Sequence, residues 1–251
     1  MQFHVGSQAV TVNIARRDEL LARVAAQLAA RRGFALATLN LDHLVKLRRS
    51  ASFRSAYAAQ DMIVADGNPI VWLSRLALCP VELMPGSDLV APLAAEAARA
   101  GVPVALVGST EPALHAAAAA LCRAVPGLEI GLCLAPPMGF DAEGAQATAL
   151  LAQLALRRIG LCFLALGAPK QEILAARGRQ LAPDVGFASV GAGLDFLAGT
   201  QVRAPRWVRG LSLEWMWRTL QDPGRMIPRY AACAVLLPVL VAEALRSRCK
   251  R

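Results

Sequence analysis

The chain has 251 residues, 56% of them hydrophobic and 18% charged, enough for a substantial core in one large α/β domain, alone or with a short appendage. Its six cysteines (Cys79, Cys122, Cys133, Cys162, Cys233 and Cys249) include no Cys-x-x-Cys pair, and several lie in apolar runs. They read as small buried hydrophobes in a reducing compartment, which excludes a disulfide framework and a zinc site. The net charge of +9 is uneven: from Arg203 onward ten Lys and Arg face Glu214, Asp222 and Glu243, a balance of +7, leaving +2 for everything before.

The amino terminus has no basic segment followed by an apolar one, so no signal peptide is expected. Residues 9–14 read as a short strand, 18–30 as an Ala/Leu-rich helix and 34–39 as a strand ending at Thr38-Leu39-Asn40. Asp42 is suited to cap the next helix, which runs to about residue 49, and His43 reads as a polar surface residue. A second short helix covers 53–59. Next comes the stretch from Met62 to Trp72, in which an apolar run meets Asp66-Gly67, then Asn68-Pro69, then another apolar run. Asn68 suits a helix N-cap and Pro69 the first helical position, so the local pattern is strand, tight turn, helix. Asp66 then sits at the carboxyl end of a buried strand, near the positive end of a helix dipole, on the edge where open α/β sheets bind ligands. An acid there can take a proton from a substrate hydroxyl. The alternative is that Asp66 only caps its own turn.

Residues 80–85 form a connection, after which Ser87 is placed as N-cap and Asp88 in the first turn of a helix. A strand at 102–107 ends in Gly108-Ser109-Thr110, a helix covers 111–123, a strand covers 128–134, and a helix covers 142–157. The strand at 161–166 is almost purely apolar, hence buried on both faces, and ends in Gly167-Ala-Pro-Lys-Gln-Glu172, where Pro169 opens a helix. The last strand, 185–190, is followed by Gly191-Ala-Gly193. Strands alternating with helices imply right-handed βαβ crossovers and a Rossmann-like, mostly parallel sheet with helices on both faces.

Near residue 200 strands stop and Arg, Trp and Pro take over, which divides the chain into an α/β core (1–200) and a basic, Trp-rich helical appendage (201–251). The appendage interleaves its arginines with Trp207, Trp215, Trp217, Tyr230 and a Leu/Val-rich run. That pattern suits a helix lying in a membrane interface, or a helix packed on the core with a solvated charged face. Nucleic acid and a phosphorylated substrate are further partners that basic charge would suit. No stretch offers 18 uncharged apolar residues, and the longest candidate, 231–242, is short and contains Pro238, so no membrane span is expected.

Four strand ends carry polar or glycine-rich tips: Thr38/Asn40, Asp66/Gly67, Gly108/Ser109/Thr110 and 167–172. In a parallel sheet they share one edge, where backbone N–H groups and helix N-termini face phosphates, as a nucleotide-sugar cleft requires. Gly191-Ala-Gly193-Leu-Asp-Phe196 lacks the third glycine of a dinucleotide fingerprint and no acidic strand end follows, which disfavours a dehydrogenase. There is no P-loop and no Asp-x-Asp, so a diphosphate would take its counter-charge from arginines such as Arg203, Arg206, Arg209, Arg218, Arg225 and Arg229. Gln171 could bond a sugar and Lys170 a phosphate; otherwise Glu172 complements the helix dipole and Lys170 is solvated.

These motifs occur in a telling order: Thr38-Leu-Asn40-Leu-Asp-His43, Ala65-Asp-Gly67-Asn-Pro69, Pro85-Gly-Ser-Asp-Leu89, Gly167 to Glu172, Gly191 to Phe196, Arg203-Ala-Pro205, Leu213-Glu-Trp215-Met-Trp-Arg218, Asp222-Pro-Gly-Arg225 and Arg229-Tyr230. The chain closely resembles the WecG/TagA/CpsF family of bacterial glycosyltransferases over roughly residues 10–230. The resemblance implies an inverting, metal-independent and cofactor-free transferase of hexosyl or N-acetylhexosaminyl type. Its donor would be a UDP-sugar and its acceptor a sugar on a polyprenyl-diphosphate lipid, at the cytoplasmic face of the cell membrane. Its products would belong to exopolysaccharide, capsule, teichoic-acid linkage or enterobacterial common antigen synthesis.

Under the resemblance, Asp66 matches the family's base, Thr38 its strand-tip threonine and Gln171 the glutamine of its Pro-Lys-Gln-Glu motif. Asn40, Gly108, Lys170, Glu172 and Arg203 join the substrate-binding set, while Arg218, Arg225 and Arg229 are the appendage arginines expected to close the site. The protein would be peripheral to the membrane, with no nucleic-acid partner, and homo-oligomerisation stays open. One departure stands out: many relatives carry an arginine before the Pro-Gly-Ser-Asp-Leu segment, where this chain reads Glu82-Leu83-Met84. Loss of that contact bears on substrate identity. It is also what favours the alternative, a non-catalytic nucleotide-sugar-binding subunit of a membrane polysaccharide assembly complex.

Overall fold

The structure, a computed structural model, describes residues 1–6, 8–201, 204–205, 208 and 213–248. An antiparallel hairpin of β1 (Gln2–Val5) and β2 (Gln8–Thr11) comes first, where the sequence pattern suggests a single strand. The body follows as α1 (Arg17–Ala29), β3 (Ala35–Leu39), α2 (Leu41–Arg49), α3 (Ala51–Ala58), β4 (Met62–Ala65), α4 (Asn68–Leu76) and α5 (Gly86–Arg99). It continues with β5 (Val104–Gly108), α6 (Glu111–Ala124), β6 (Ile130–Leu134), α7 (Ala145–Leu156), β7 (Leu161–Ala165), α8 (Lys170–Leu181), β8 (Gly186–Ser189) and α9 (Gly193–Ala198). Two helices close the described chain, α10 (Glu214–Gln221) and α11 (Pro223–Arg248).

The six-stranded sheet has the order β4-β3-β8-β7-β5-β6 and every pair in it is parallel. The expected α/β architecture is therefore present, and all six carboxyl ends lie on one edge. Period-two alternation sorts the side chains between the faces. Leu36, Val64, Leu106, Phe163 and Ala188 pack with Leu20, Leu89, Leu93 and Leu114 of α1, α5 and α6. On the other face Ala105, Leu164 and Phe187 pack with Leu150 and Leu174 of α7 and α8, while Leu39 and Ile63 meet α2, α3 and α4. Burial of each such leucine or phenylalanine contributes about 1.5–3 kcal/mol, which is why strands covered on both sides read as unbroken apolar runs.

Helix starts differ from the sequence expectation in three places. Asn40, not Asp42, caps α2, its Oδ1 accepting from the His43 N–H at 2.9 Å. Asn68 is the first residue of α4 rather than its cap; Gly67 takes the cap position with φ +100, a conformation glycine adopts without a Cβ clash. Pro85 precedes α5, and Ser87 lies inside it. The helix starts early because Gly86 is pressed on the tip of β8: a Cβ there would sit 2.8 Å from the Val190 carbonyl oxygen.

The cysteines are also less uniform than expected, with Cys162 and Cys233 buried, Cys79 and Cys133 partly buried and Cys122 exposed.

At the far edge β6 is only half-buried along its length. Its pairing with β5 steps from Val104↔Ile130 to Ala105↔Leu132, so Gly131 is bulged out, and Arg157 Nη1 donates to the Gly131 carbonyl at 3.1 Å.

The apolar run near the end belongs to α11, a single 26-residue helix that continues through both Pro228 and Pro238. The helix is longer than the segment expected from sequence, and by length and composition alone it is long and apolar enough to cross a membrane, with mean hydropathy 1.5 over 18 residues. One stripe (Met226, Cys233, Leu236, Leu240, Ala244) is buried, and Leu236, Leu240 and Ala244 pack into the cluster of α2, α4 and the hairpin. Ile227, Val235, Val239 and Leu245 are exposed.

The β5 tip gives the sharpest test of this packing. Gly108 has φ +122, and a Cβ there would lie 2.3 Å from the Ala165 carbonyl oxygen of β7. Gly108→Ala is expected to cost about 2–5 kcal/mol through backbone strain and overpacking together, measurable by urea denaturation.

Candidate active site

The β3–β4 register aligns Thr38 with Val64 and Leu39 with Ala65. Asp66 continues the ladder, its N–H donating to the Leu39 carbonyl at 2.8 Å. Asn40 and Asp66 thus emerge side by side from neighbouring strands. Asn40 Nδ2 donates to Asp66 Oδ2 at 3.4 Å, while its Oδ1 is held by the His43 N–H. The amide is therefore oriented, with its donor end toward the carboxylate.

Thr38 is buried below this tip, and its carbonyl accepts from the Tyr57 hydroxyl at 2.9 Å. The Tyr57 oxygen in turn lies 2.7 Å from His43 Nδ1. Tyr57 has one proton to give and gives it to Thr38, so the His43 proton resides on Nδ1. His43 is buried, not a surface residue as its sequence context suggests. Burial, reinforced by the positive charges of Lys46 and Arg229 against the pull of Asp42, lowers its pKa to about 3 and keeps the ring neutral.

Glycine-rich turns flank this pair along the edge. At β5, Ser109 follows Gly108 with φ +48 and donates a short hydrogen bond to Asp195 of α9. Asp195 lies within the Gly191–Phe196 motif, and its spacing alone does not single it out. At β7, Lys170 is exposed at the start of α8, whereas Gln171 is 2% and Glu172 0% exposed. Those two side chains are buried at the start of α8. Gln171 Nε2 donates to Glu172 Oε1 at 2.8 Å, and Gln171 Oε1 accepts from the Gly191 N–H at 3.2 Å. Burial raises the Glu172 pKa to about 7, against the lowering effects of the Gln171 bond and Lys46.

The appendage reaches the edge through Arg229. Arg229 Nη2 lies 3.1 Å from Asp42 Oδ2, the same oxygen that Lys46 Nζ approaches to 2.9 Å. Lys46 also donates to the Ala168 carbonyl at 3.2 Å, in the turn before α8. Sequence reasoning missed this Arg229–Asp42–Lys46 chain; the only hint was the i,i+4 spacing of Asp42 and Lys46. Arg225 instead pairs with Asp222 at 2.9 Å on the exposed start of α11. Arg218 belongs to α10, but its side chain lies outside the described residues, as do Arg203, Arg206 and Arg209. Leu83 pairs with Ala65 at the end of β4 and is 39% exposed, so the departure from the arginine pattern lies next to Asp66.

A cavity of about 610 Å³ opens at the opposite end of the sheet, lined by Leu28, Arg31, Val102, Arg158, Ile159 and Asp184 among others. Its walls are turns that follow helix carboxyl ends. The convergent polar chemistry is at the other edge, which is where we place the site.

An all-parallel sheet whose carboxyl edge gathers a carboxylate, an oriented amide and glycine turns has the arrangement of an α/β protein that binds its ligand at the strand tips. The family model described as Glycosyl transferase WecG/TagA/CpsF family matches residues 7–251, and the chain belongs to that family. It is a glycosyltransferase of a family devoted to cell-surface polysaccharide biosynthesis, and takes a sugar donor and an acceptor.

Glu172 makes stability depend on pH. Its folded pKa of about 7 lies above the ordinary 4.5, so the folded state binds the proton more tightly. The stabilisation is complete below pH 4.5 and is lost as pH rises through 7. Glu172→Gln cannot ionise; it should be more stable than the wild type at pH 8 by about 2–3 kcal/mol at most, with the difference vanishing in acid. Thermal denaturation across pH reads both limbs.

Proposed function

We propose that the protein is an inverting glycosyltransferase that moves a sugar from a UDP-sugar to a sugar on a polyprenyl-diphosphate lipid, at the cytoplasmic face of the membrane. The observation that carries this reading is Asp66 at the β4 tip with Asn40 Nδ2 directed at its carboxylate. Asp66 acts as general base, accepting the proton of the acceptor hydroxyl. The hydroxyl oxygen attacks the anomeric carbon from the face opposite the nucleotide. The carbon–oxygen bond to UDP breaks, and its electron pair leaves with the diphosphate. A single displacement inverts the centre and needs one carboxylate. Thr38 completes the β3 tip beneath the base, and Asn40 holds the base in place.

The leaving diphosphate gathers negative charge, which the cleft meets with backbone N–H groups, Lys170 and the appendage arginines Arg203, Arg218, Arg225 and Arg229. No metal ion is needed in this scheme. Residues 201–251 form the appendage that closes the site, and α11 carries the membrane contact. Its exposed Ile227, Val235 and Val239 support that role, together with Arg225, Arg246 and Arg248 on the same helix.

Two measurements test the proposal. Radiolabelled UDP-sugars are offered with polyprenyl-diphosphate-sugar acceptors; Asp66→Asn is expected to lower kcat about 10²–10⁴-fold with its melting temperature unchanged. Wild-type rates in that variant would remove Asp66 from the base role. UDP-sugar binding without transfer by the wild type would leave a non-catalytic binding subunit. In vesicle sedimentation, binding to anionic lipid should exceed binding to neutral lipid and weaken as salt rises from about 0.1 to 1 M; indifference to lipid charge would reject the electrostatic contact.

A further inference from the structure

The centre of the sheet edge is the tip of β8, which lies between β3 and β7. Three elements converge on it. Gly86 at the start of α5 touches Val190, Gly193 opens α9 against Ser87, and Asp195 of α9 takes the Ser109 hydrogen bond from β5. Wherever Gly191 sits, the floor between the Asp66 side and the Ser109 side of the cleft follows. Gly191 has φ +56, and its N–H is held by a side chain, Gln171 Oε1.

A glutamine amide can bind an N–H only with its oxygen facing it. The other end of Gln171 decides that orientation. Its Nε2 donates to Glu172 Oε1 at 2.8 Å, and an accepting oxygen at that position can be met only by the amide nitrogen. Turning the amide over would set nitrogen against the Gly191 N–H and oxygen against that accepting oxygen. Glu172 is completely buried in the first turn of α8, and Gln60 Nε2 donates to its backbone carbonyl at 3.1 Å, so the group has no access to substrate. A buried carboxyl group is an expensive way to fill space, which points to a role its acceptor oxygen performs.

We propose that Glu172 is a positioning residue: by accepting from Gln171 Nε2 it aims Gln171 Oε1 at the Gly191 N–H and thereby fixes the β8 tip as the floor of the cleft. Its effect on turnover rests on the glycosyltransferase reading above, whereas its effect on Gly191 does not. The same pair of bonds explains why Gln171 and Glu172 are adjacent at the start of one helix: the first reaches the neighbouring strand, and the second orients it.

The test compares Glu172→Gln, which keeps an acceptor oxygen, with Glu172→Leu, which removes it and leaves an apolar group of similar size. Amide exchange at Gly191 is read by NMR on the full chain, with the Phe187 N–H of the same strand as reference, since that amide bonds the Phe34 carbonyl at 2.7 Å. Glu172→Leu should speed Gly191 exchange about tenfold or more relative to Phe187, and Glu172→Gln less than about threefold. In transfer assays Glu172→Leu should lose about tenfold or more in kcat/KM while its melting temperature holds or rises; Glu172→Gln should restore most of the activity. Unchanged Gly191 exchange in Glu172→Leu overturns the assignment, as does an activity loss that tracks a lowered melting temperature. A wild type that transfers no sugar would defeat the functional proposal alone, and Gly191 exchange would still decide this one.

Discussion

The hydrogen bond from the Asp66 N–H to the Leu39 carbonyl, 2.8 Å long, is the constraint on which the geometry of the candidate site depends. It extends the parallel β3–β4 ladder by one step beyond the last paired residues, so the carboxylate leaves its strand at a fixed height beside Asn40. Everything nearby serves that height. Gly67 lets the chain turn immediately with φ +100, α4 starts at once, and Ala65 pairs with Leu83 on the outer side. A one-residue slip of β4 would turn Asp66 to the opposite face and bring Ala65 to the tip, because side chains alternate along a strand.

Beneath the tips lies a polar layer, unusual for a sheet buried on both faces. His43, Tyr57 and the Thr38 carbonyl form one chain of bonds; Glu172, Gln171 and the Gly191 N–H form another. Each chain ends on the backbone of a strand tip, and neither reaches solvent. Buried polar groups destabilise a core unless paired, and paired ones admit few alternative arrangements; Glu172 Oε2 is buried with no hydrogen-bond partner among the described residues, so the second chain is only partly satisfied. The layer thus trades some stability for definition of the edge. The ion pairs of Asp42 with Lys46 and Arg229 extend the same logic outward and tie α11 to the turn before α8.

Much of this was legible in the sequence for a simple reason. Strands buried on both faces must be apolar throughout, and turns at strand tips must use Gly, Pro, Asp or Asn, so the βαβ rhythm and the position of Asp66 could be read directly. Details that depend on tertiary contact could not. Ser87 has the right chemistry for a cap, yet α5 begins at Gly86 because the helix is packed on Val190. His43 sits between polar and apolar residues in Leu41-Asp-His-Leu-Val-Lys, and only the placement of α3 brings Tyr57 onto its ring nitrogen. Gln171 and Glu172 open a helix at the ligand-binding edge, and their burial is invisible to an argument from sequence position. The first strand of the hairpin was missed because four residues carry too little alternation to be distinctive.

The half-buried outer strand β6 has a consequence of its own. A parallel sheet that stops at an open edge offers unpaired backbone groups as a template for other chains, and this chain is 56% hydrophobic. Here the bulge at Gly131 breaks the regular spacing of the edge, and the Arg157 guanidinium covers the carbonyl it exposes. A charged side chain at that spot makes approach by a second strand require its removal into solvent or its burial. The bulge and the guanidinium together interrupt the regular row of backbone groups that strand addition needs.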